Sequence, residues 1–181
     1  MPDTDSLAAI KWPNVPACYG WLSLDRRGQW RLKGEIISHA GLIAFINRHY
    51  GADDAGNWIF RNGPQAVFVA FDYTPLVLRL QFDGSLLGHT GVLAGPVTAA
   101  YIDDEGNALL DTPLGIGLLD DRDLPAFVAD CRNAHGEPMA EDALLAAMAG
   151  RPDGFWRGIP LQFVFRREVP SQFGFRADPA P

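Results

Sequence analysis

The chain has 181 residues, of which 48% are hydrophobic and 20% charged, the balance of a folded globular protein rather than a disordered one. Its net charge of −7, with only Lys11 and Lys33 as lysines, excludes a polybasic face and so removes nucleic acid and anionic membrane as leading partners. No stretch approaches the roughly 18 apolar residues that a membrane span requires.

Residues 1–18 carry Pro2, Pro13 and Pro16 and read as an N-terminal arm. The start Met-Pro-Asp-Thr-Asp-Ser has neither the basic nor the apolar region of a secretory signal. Cys18 and Cys131 form neither a disulfide framework nor a metal knuckle, so the expected location is cytoplasmic. The segments 19–24 and 29–33 alternate apolar with polar residues around the turn Asp25-Arg-Arg-Gly28, which predicts a hairpin. Ser38 is the expected N-cap of a helix running to about Tyr50, with Leu42, Ile43, Ile46 and Tyr50 as its apolar stripe and Gly51 as its stop. Strands are expected at 57–61, 65–71, 76–82 and 85–89, joined by Asn62-Gly63 and Asp83-Gly84 as an antiparallel meander.

From Pro96 a second series begins. Strands at 97–102 and 107–111 flank the acidic turn Asp103-Asp-Glu-Gly106, and a helix starts near Asp121 or Asp123 with Leu124, Phe127, Val128 and Cys131 on one face. Another helix follows with Pro138 as its first residue and Leu144, Leu145 and Met148 as its stripe. Residues 155–167 give a final strand or hairpin, and the tail from Pro170 reads as loosely held.

Leu42-Ile-Ala-Phe-Ile46 is echoed by Leu124-Pro-Ala-Phe-Val128. The strand pair starting at Trp58 is echoed by the pair starting at Trp156. A strand–helix–hairpin unit buries one face only, so two copies would complete a core. The expected fold class is therefore α+β, mainly antiparallel, with about three helices in two related lobes. These are 19–95 and 96–168, flanked by the arm 1–18 and the tail 169–181.

The order Gly28-x-Trp30, Gly34-x-Ile36, Asp54-x-Gly56-Asn-Trp58 and the closing Trp156-x-Gly158 resembles a bacterial domain-of-unknown-function family built of tandem α+β motifs. The resemblance spans most of 19–166. It implies a ligand-sensing or regulatory role and brings no catalytic residue. The Pro113–Leu118 stretch and the helix after Pro138 have no counterpart in that pattern.

Candidate chemistry is sparse. Gly115-Ile-Gly117 lacks the third glycine and the helix of a dinucleotide loop and reads as a turn. Cys131 and His135 could share a helix face, yet Cys131 lies on the apolar stripe and reads as core. His39 and His49 read as helix-end residues. The acidic runs at 53–54, 103–105 and 120–121 lack calcium-loop spacing and read as solvated turns. His89, beside Gly88 and Gly91, stands where a backbone could approach a ligand. Arg79, inside an apolar strand, needs a carboxylate or an anionic ligand if that face is covered. With Arg61 and Asp72 on neighbouring strands, these make Arg61, Asp72, Arg79 and His89 the expected ligand-binding residues. No catalytic residue, metal site or cofactor is expected. The expected function is non-enzymatic sensing or interaction, with a small molecule or protein as partner. The alternative is a hydrolase-like enzyme with its site at the inter-lobe crevice, using Asp72, His89 or Glu137.

Overall fold

A computed structural model describes residues 12–181. Of the expected N-terminal arm, residues 1–11 lie outside the described residues. The remainder is anchored: Gln65 Nε2 donates to the carbonyls of Pro13 and Val15, and Trp12 packs against Trp21 and Phe60.

The first sheet contains β1 (Ala17–Leu24), β2 (Trp30–Leu32), β3 (Glu35–Ile36), β4 (Tyr50–Ala52), β5 (Trp58–Asn62) and β6 (Gln65–Phe71), with helix α1 (Ala40–Arg48) between β3 and β4. Its order is β3-β2-β1-β6-β5-β4, with β1 and β6 parallel. A parallel neighbour requires a crossover, and the run from β2 through α1 to β5 supplies it. Alternation sets the inward face of β6: Val67, Val69 and Phe71 are buried, while Ala66, Phe68 and Ala70 are not.

The second sheet takes in β7 (Leu76–Leu80), β8 (Leu86–Gly88), β9 (Ala99–Asp103), β10 (Ala108–Thr112), β11 (Gly115–Leu119), β12 (Cys131–Arg132), β13 (Phe155–Trp156) and β14 (Ile159–Val164). Helices α2 (Leu124–Ala129) and α3 (Glu141–Met148) lie on either side of β12 in the chain, and α4 (Val169–Phe173) follows β14. The order is β12-β13-β14-β9-β10-β11-β7-β8, with β14 parallel to β9 and β7 parallel to β11.

The second sheet is the middle layer. Val77, Tyr101, Leu109, Ile116 and Leu118 join one core with Leu22, Trp30, Phe60, Val67 and the α1 residues Leu42 and Ile46. Leu78, Ala100, Ile102, Leu110 and Leu119 join a second core with Phe127, Cys131, Ala147 and Trp156. Burial on both faces explains why Leu76-Val-Leu78 and Ala108-Leu-Leu110 read as continuous apolar runs rather than alternating ones.

The structure corrects several expectations. Four α-helices are present among the described residues, not three, because Pro170 sits in the first turn of a helix, where its missing N–H is harmless. That tail is not loose: Val169 and Phe175 are buried, and Phe71 N donates to Ala177 O. His39, not Ser38, caps α1, its Nδ1 accepting from Leu42 N, and the helix ends at Arg48 so that Tyr50 and Gly51 begin β4. The expected meander is split, since β6 belongs to the first sheet and β7 to the second. Gly115 to Leu119 is a strand, not a turn; Gly117 leaves room for Leu78, whose Cδ1 would stand 2.6 Å from an added Cβ. Pro138 bridges Arg132, and α3 starts later, at Glu141, with Ala147 buried and Leu145 exposed.

Candidate functional site

One turn recurs four times among the described residues. In each, an Asp or Asn side-chain oxygen accepts from the backbone N–H two and four residues on, and a glycine occupies the third position after it. The examples start at Asp25, Asp53, Asp103 and Asn133. The side chain thus replaces a backbone acceptor, and the glycine takes up positive φ without cost from a Cβ. Two of these turns face each other across the space between the sheets.

Asp103, at the end of β9, has no exposure to solvent, which overturns its reading as a solvated turn. It accepts from Tyr73 Oη at 2.7 Å, from Asn107 Nδ2 at 2.8 Å, and from the backbone N–H groups of Glu105 and Asn107. Four donors offset the desolvation of a buried carboxylate. Asn107 Oδ1 in turn accepts from Arg26, in the Asp25 turn of the first sheet. Tyr73 lies between two guanidinium groups, Arg166 at 4.8 Å and Arg26 at 5.8 Å from its ring centroid. Burial and the bond to Asp103 push the Tyr73 phenol well above its ordinary range, so it is a donor and not an acid.

Crevices open on both sides of this network. One, of about 400 Å³, is bounded by Arg26, Arg27, Asn107, Leu118, Leu119 and Asp121. The other, of about 330 Å³, lies among Asp72, Tyr73, Asp104, Glu105, Arg166 and Arg167. In the second, Arg166 is engaged by Glu105 and by the carbonyl of Asp72. In the first, Arg27 meets Asp121 at 3.1 Å with both side chains more than half exposed. Arg26 donates to the neutral amide of Asn107 and lies over the Tyr73 ring, and no carboxylate among the described residues forms an ion pair with it. The most available cation of the crevice is therefore Arg26.

The four expected ligand residues are not brought together. Arg61 is exposed on β5 beside His49 and Tyr50. It pairs with Ala66, and Asp72 stands six residues further along, about 20 Å away at strand spacing. Asp72 borders the Arg166 crevice. Arg79 does find a carboxylate: Asp123 accepts from its Nε at 2.7 Å and also from Leu80 N. His89 is a packing residue, with Nδ1 accepting from Val77 N and the ring against Trp30 and Tyr50. Its Nε2 is buried without a partner among the described residues, and burial pushes the imidazole down to about 4. Glu137 is exposed in the Asn133 turn, so the set Asp72, His89 and Glu137 does not converge either.

Cys131 opens β12 rather than sharing a helix face with His135. Its Sγ donates to Phe127 O, and burial raises the thiol to about 11. Asp120, also fully buried, would be raised by burial, but two hydrogen bonds from the Arg122 side chain and one from its backbone hold it at about 2. Among the described residues no group of three or more His, Cys, Asp or Glu could hold a metal ion, and no helix is long and apolar enough to cross a membrane. Tyr73, Arg26, Asn107 and Arg166 were not singled out from sequence. The recurring Asp-x-x-Gly spacing was the available signal, and it marks the turns without marking which of them is buried.

A family model described as "Protein of unknown function (DUF2946)" matches residues 1–180. The chain belongs to that family. No curated protein matches the sequence. Among solved structures, a DUF1285 family protein from Silicibacter pomeroyi DSS-3 is similar at 14% identity, over 93% of this chain and 90% of that one, with a TM-score of 0.54. A DUF1285 family protein from Shewanella baltica OS155 matches 60% of this chain and 91% of its own at 17% identity, with a TM-score of 0.46. The former likeness shows a shared fold. The expected membership of a domain-of-unknown-function family is met, and no residue role comes with it.

Proposed function

We propose that the protein is a non-enzymatic, cytoplasmic sensing protein that binds a small anionic molecule, a carboxylate or phosphate, in the crevice between its two sheets. Arg26 carries this reading. It is a half-buried guanidinium held on a rigid turn, with most of its five donors uncommitted among the described residues, in a crevice also lined by the β11 residues Leu118 and Leu119. Such a fork suits a bidentate oxyanion. The regulatory sense follows from position: the ligand would touch both sheets at once and so bias how they sit against each other.

The internal repeat belongs to the same reading. The order β3-β2-β1-β6-β5-β4 has the same connectivity as β11-β10-β9-β14-β13-β12. This supports two copies of one unit, each with a helix after its third strand, and with α3 as an insertion in the second. On this reading the units meet at the Asp72–Pro75 connection rather than at Pro96, since β7 and β8 pair within the second sheet. Two buried, unpaired cysteines and a net charge of −7 are compatible with a cytoplasmic protein that does not bind nucleic acid.

The test is a thermal-shift and calorimetric titration with inorganic phosphate, succinate and citrate at low ionic strength. At least one anion should raise the melting temperature of the wild type, and Arg26→Gln should abolish that rise. A rise that survives Arg26→Gln, or none with any anion, overturns the proposal.

A further inference from the structure

A different surface carries the second proposal. The β7–β8 hairpin exposes Phe82 at 112%, more than an extended peptide would, and the segment after it exposes Val92 at 51% and Leu93 at 60%. Phe82 is not on a loose tip. Asp83 Oδ1 accepts from Ser85 N and Oγ, Gly84 N donates to Gln81 O, and Gln81 N donates to Ser85 O. The turn therefore presents the ring at low conformational cost, which is how an interface anchor is built.

Beside it lies an apolar groove of about 330 Å³, lined by Leu86, Leu93, Val97, Ile159 and Trp156 and rimmed by Arg157. The groove spans the two ends of the eight-stranded sheet. Arg157, in the turn after β13, donates to Gly84 O at 2.7 Å and to Asp130 at 2.9 Å, and its guanidinium lies 4.7 Å from the centre of the Trp156 ring. Trp156 is 2% exposed and its indole N–H has no acceptor among the described residues.

Knob and hole thus stand on one hairpin, Phe82 two residues from Gly84 at the groove wall. Phe82, fully exposed, does not fill the groove of its own chain. A surface that offers both parts side by side is complementary to itself about a two-fold axis. Charge agrees with this. Asp83 adjoins the knob with only its Oδ1 engaged by Ser85, and Arg157 rims the hole; Arg157 already pairs with Asp130 through Nε and with Gly84 O through Nη1, and its Nη2 is left to meet the Asp83 of an inserted hairpin, twice per pair. For two bodies of net charge −7, that local match favours this face over the rest of the surface.

We propose that the protein self-associates as a two-fold dimer in which Phe82 of each copy fills the Trp156 groove of the other, with Asp83 against Arg157. The test is sedimentation velocity of the full chain across the micromolar range, with Trp fluorescence followed in parallel. Wild type should pass from monomer to dimer as concentration rises, with a change in Trp emission over the same range. Phe82→Ser, an exposed change that leaves the core untouched, should weaken association at least about thirty-fold. Leu93→Ser, an exposed change at the groove wall, should weaken it too. A wild type that stays monomeric throughout, or a dimer that persists in Phe82→Ser or in Leu93→Ser, overturns the proposal.

Discussion

The turns Asp25–Gln29 and Asp103–Asn107 share one local code and differ in what surrounds them. Each has an aspartate oxygen accepting two backbone N–H groups and a glycine at positive φ. Around Asp25, which retains 8% exposure, the second carboxylate oxygen meets the cation Arg31. Around Asp103, with no exposure, it meets the neutral donors Tyr73 and Asn107. The glycines differ in the same way: a Cβ at Gly28 would stand 2.6 Å from His89 Cβ, while one at Gly106 would meet only the flexible end of Met148 at 3.0 Å. Local sequence thus builds the turn, and tertiary burial decides which turn becomes a structural hub.

The largest expected effect breaks this comparison if it fails. Asp103→Ala strands two side-chain donors and two backbone N–H groups in a dry site and should cost about 4 kcal/mol of unfolding free energy. Asp25→Ala, where water reaches the turn, should cost about 1.5 kcal/mol. Urea denaturation of both variants reads the difference directly. Equal losses would mean that the two turns are equivalent despite their surroundings.

Next in size is a pH effect confined to the first turn, because His89 lies beneath it. The folded-state imidazole, at about 4, is well below its unfolded value near 6.5, so the unfolded chain binds the proton more readily between those values. Stability from this group is complete above about pH 6.5 and is lost as pH falls toward 4, a total of about 3 kcal/mol. Unfolding free energies measured at steps from pH 7 to 4 should show this slope in wild type and a flatter one in His89→Phe. An unchanged slope in the variant would assign the acid sensitivity elsewhere.

What was legible in the chain follows from the same contrast. The strands β6, β9 and β10 are readable as short apolar runs bounded by turn residues, and the turns at Asp25, Asp53 and Asp103 by their Asp-x-x-Gly spacing, because both are local signals. The network at Tyr73 was not readable, since its members come from a connection, two hairpins and a segment after β14, and only the fold brings them together. Arg79 meets the carboxylate of Asp123, which lies 44 positions away and gives no local sign of being its partner. Gly115 to Leu119 misled because glycine usually breaks strands; here one glycine makes room for Leu78.

The glycines sharpen the comparison at smaller scale. Gly28→Ala and Gly106→Ala both force a left-handed alanine, a cost of about 1 kcal/mol. At Gly28 the new methyl also meets the Cβ of a packed His89, which cannot swing aside, whereas Met148 can. Gly28→Ala should therefore be the more destabilising by about 1 kcal/mol in matched urea titrations.

The smallest stability effect separates fold from function. Arg27 and Asp121 form an ion pair in which 54% and 58% of the two side chains face water. Screening and side-chain entropy reduce such a pair to almost nothing, so Arg27→Ala should leave the unfolding free energy within about 0.5 kcal/mol of wild type. The same change removes one of the two cations of the inter-sheet crevice. If the crevice takes an oxyanion, Arg27→Ala should therefore lower anion affinity several-fold while the protein melts as before, and added salt should weaken binding in wild type more than in the variant. Arg27 contributes a long-range field and Arg26 a directed fork, so the loss should be partial for Arg27→Ala and complete for Arg26→Gln. An Arg27→Ala protein that loses stability but keeps its affinity would mean that the first turn serves the fold alone.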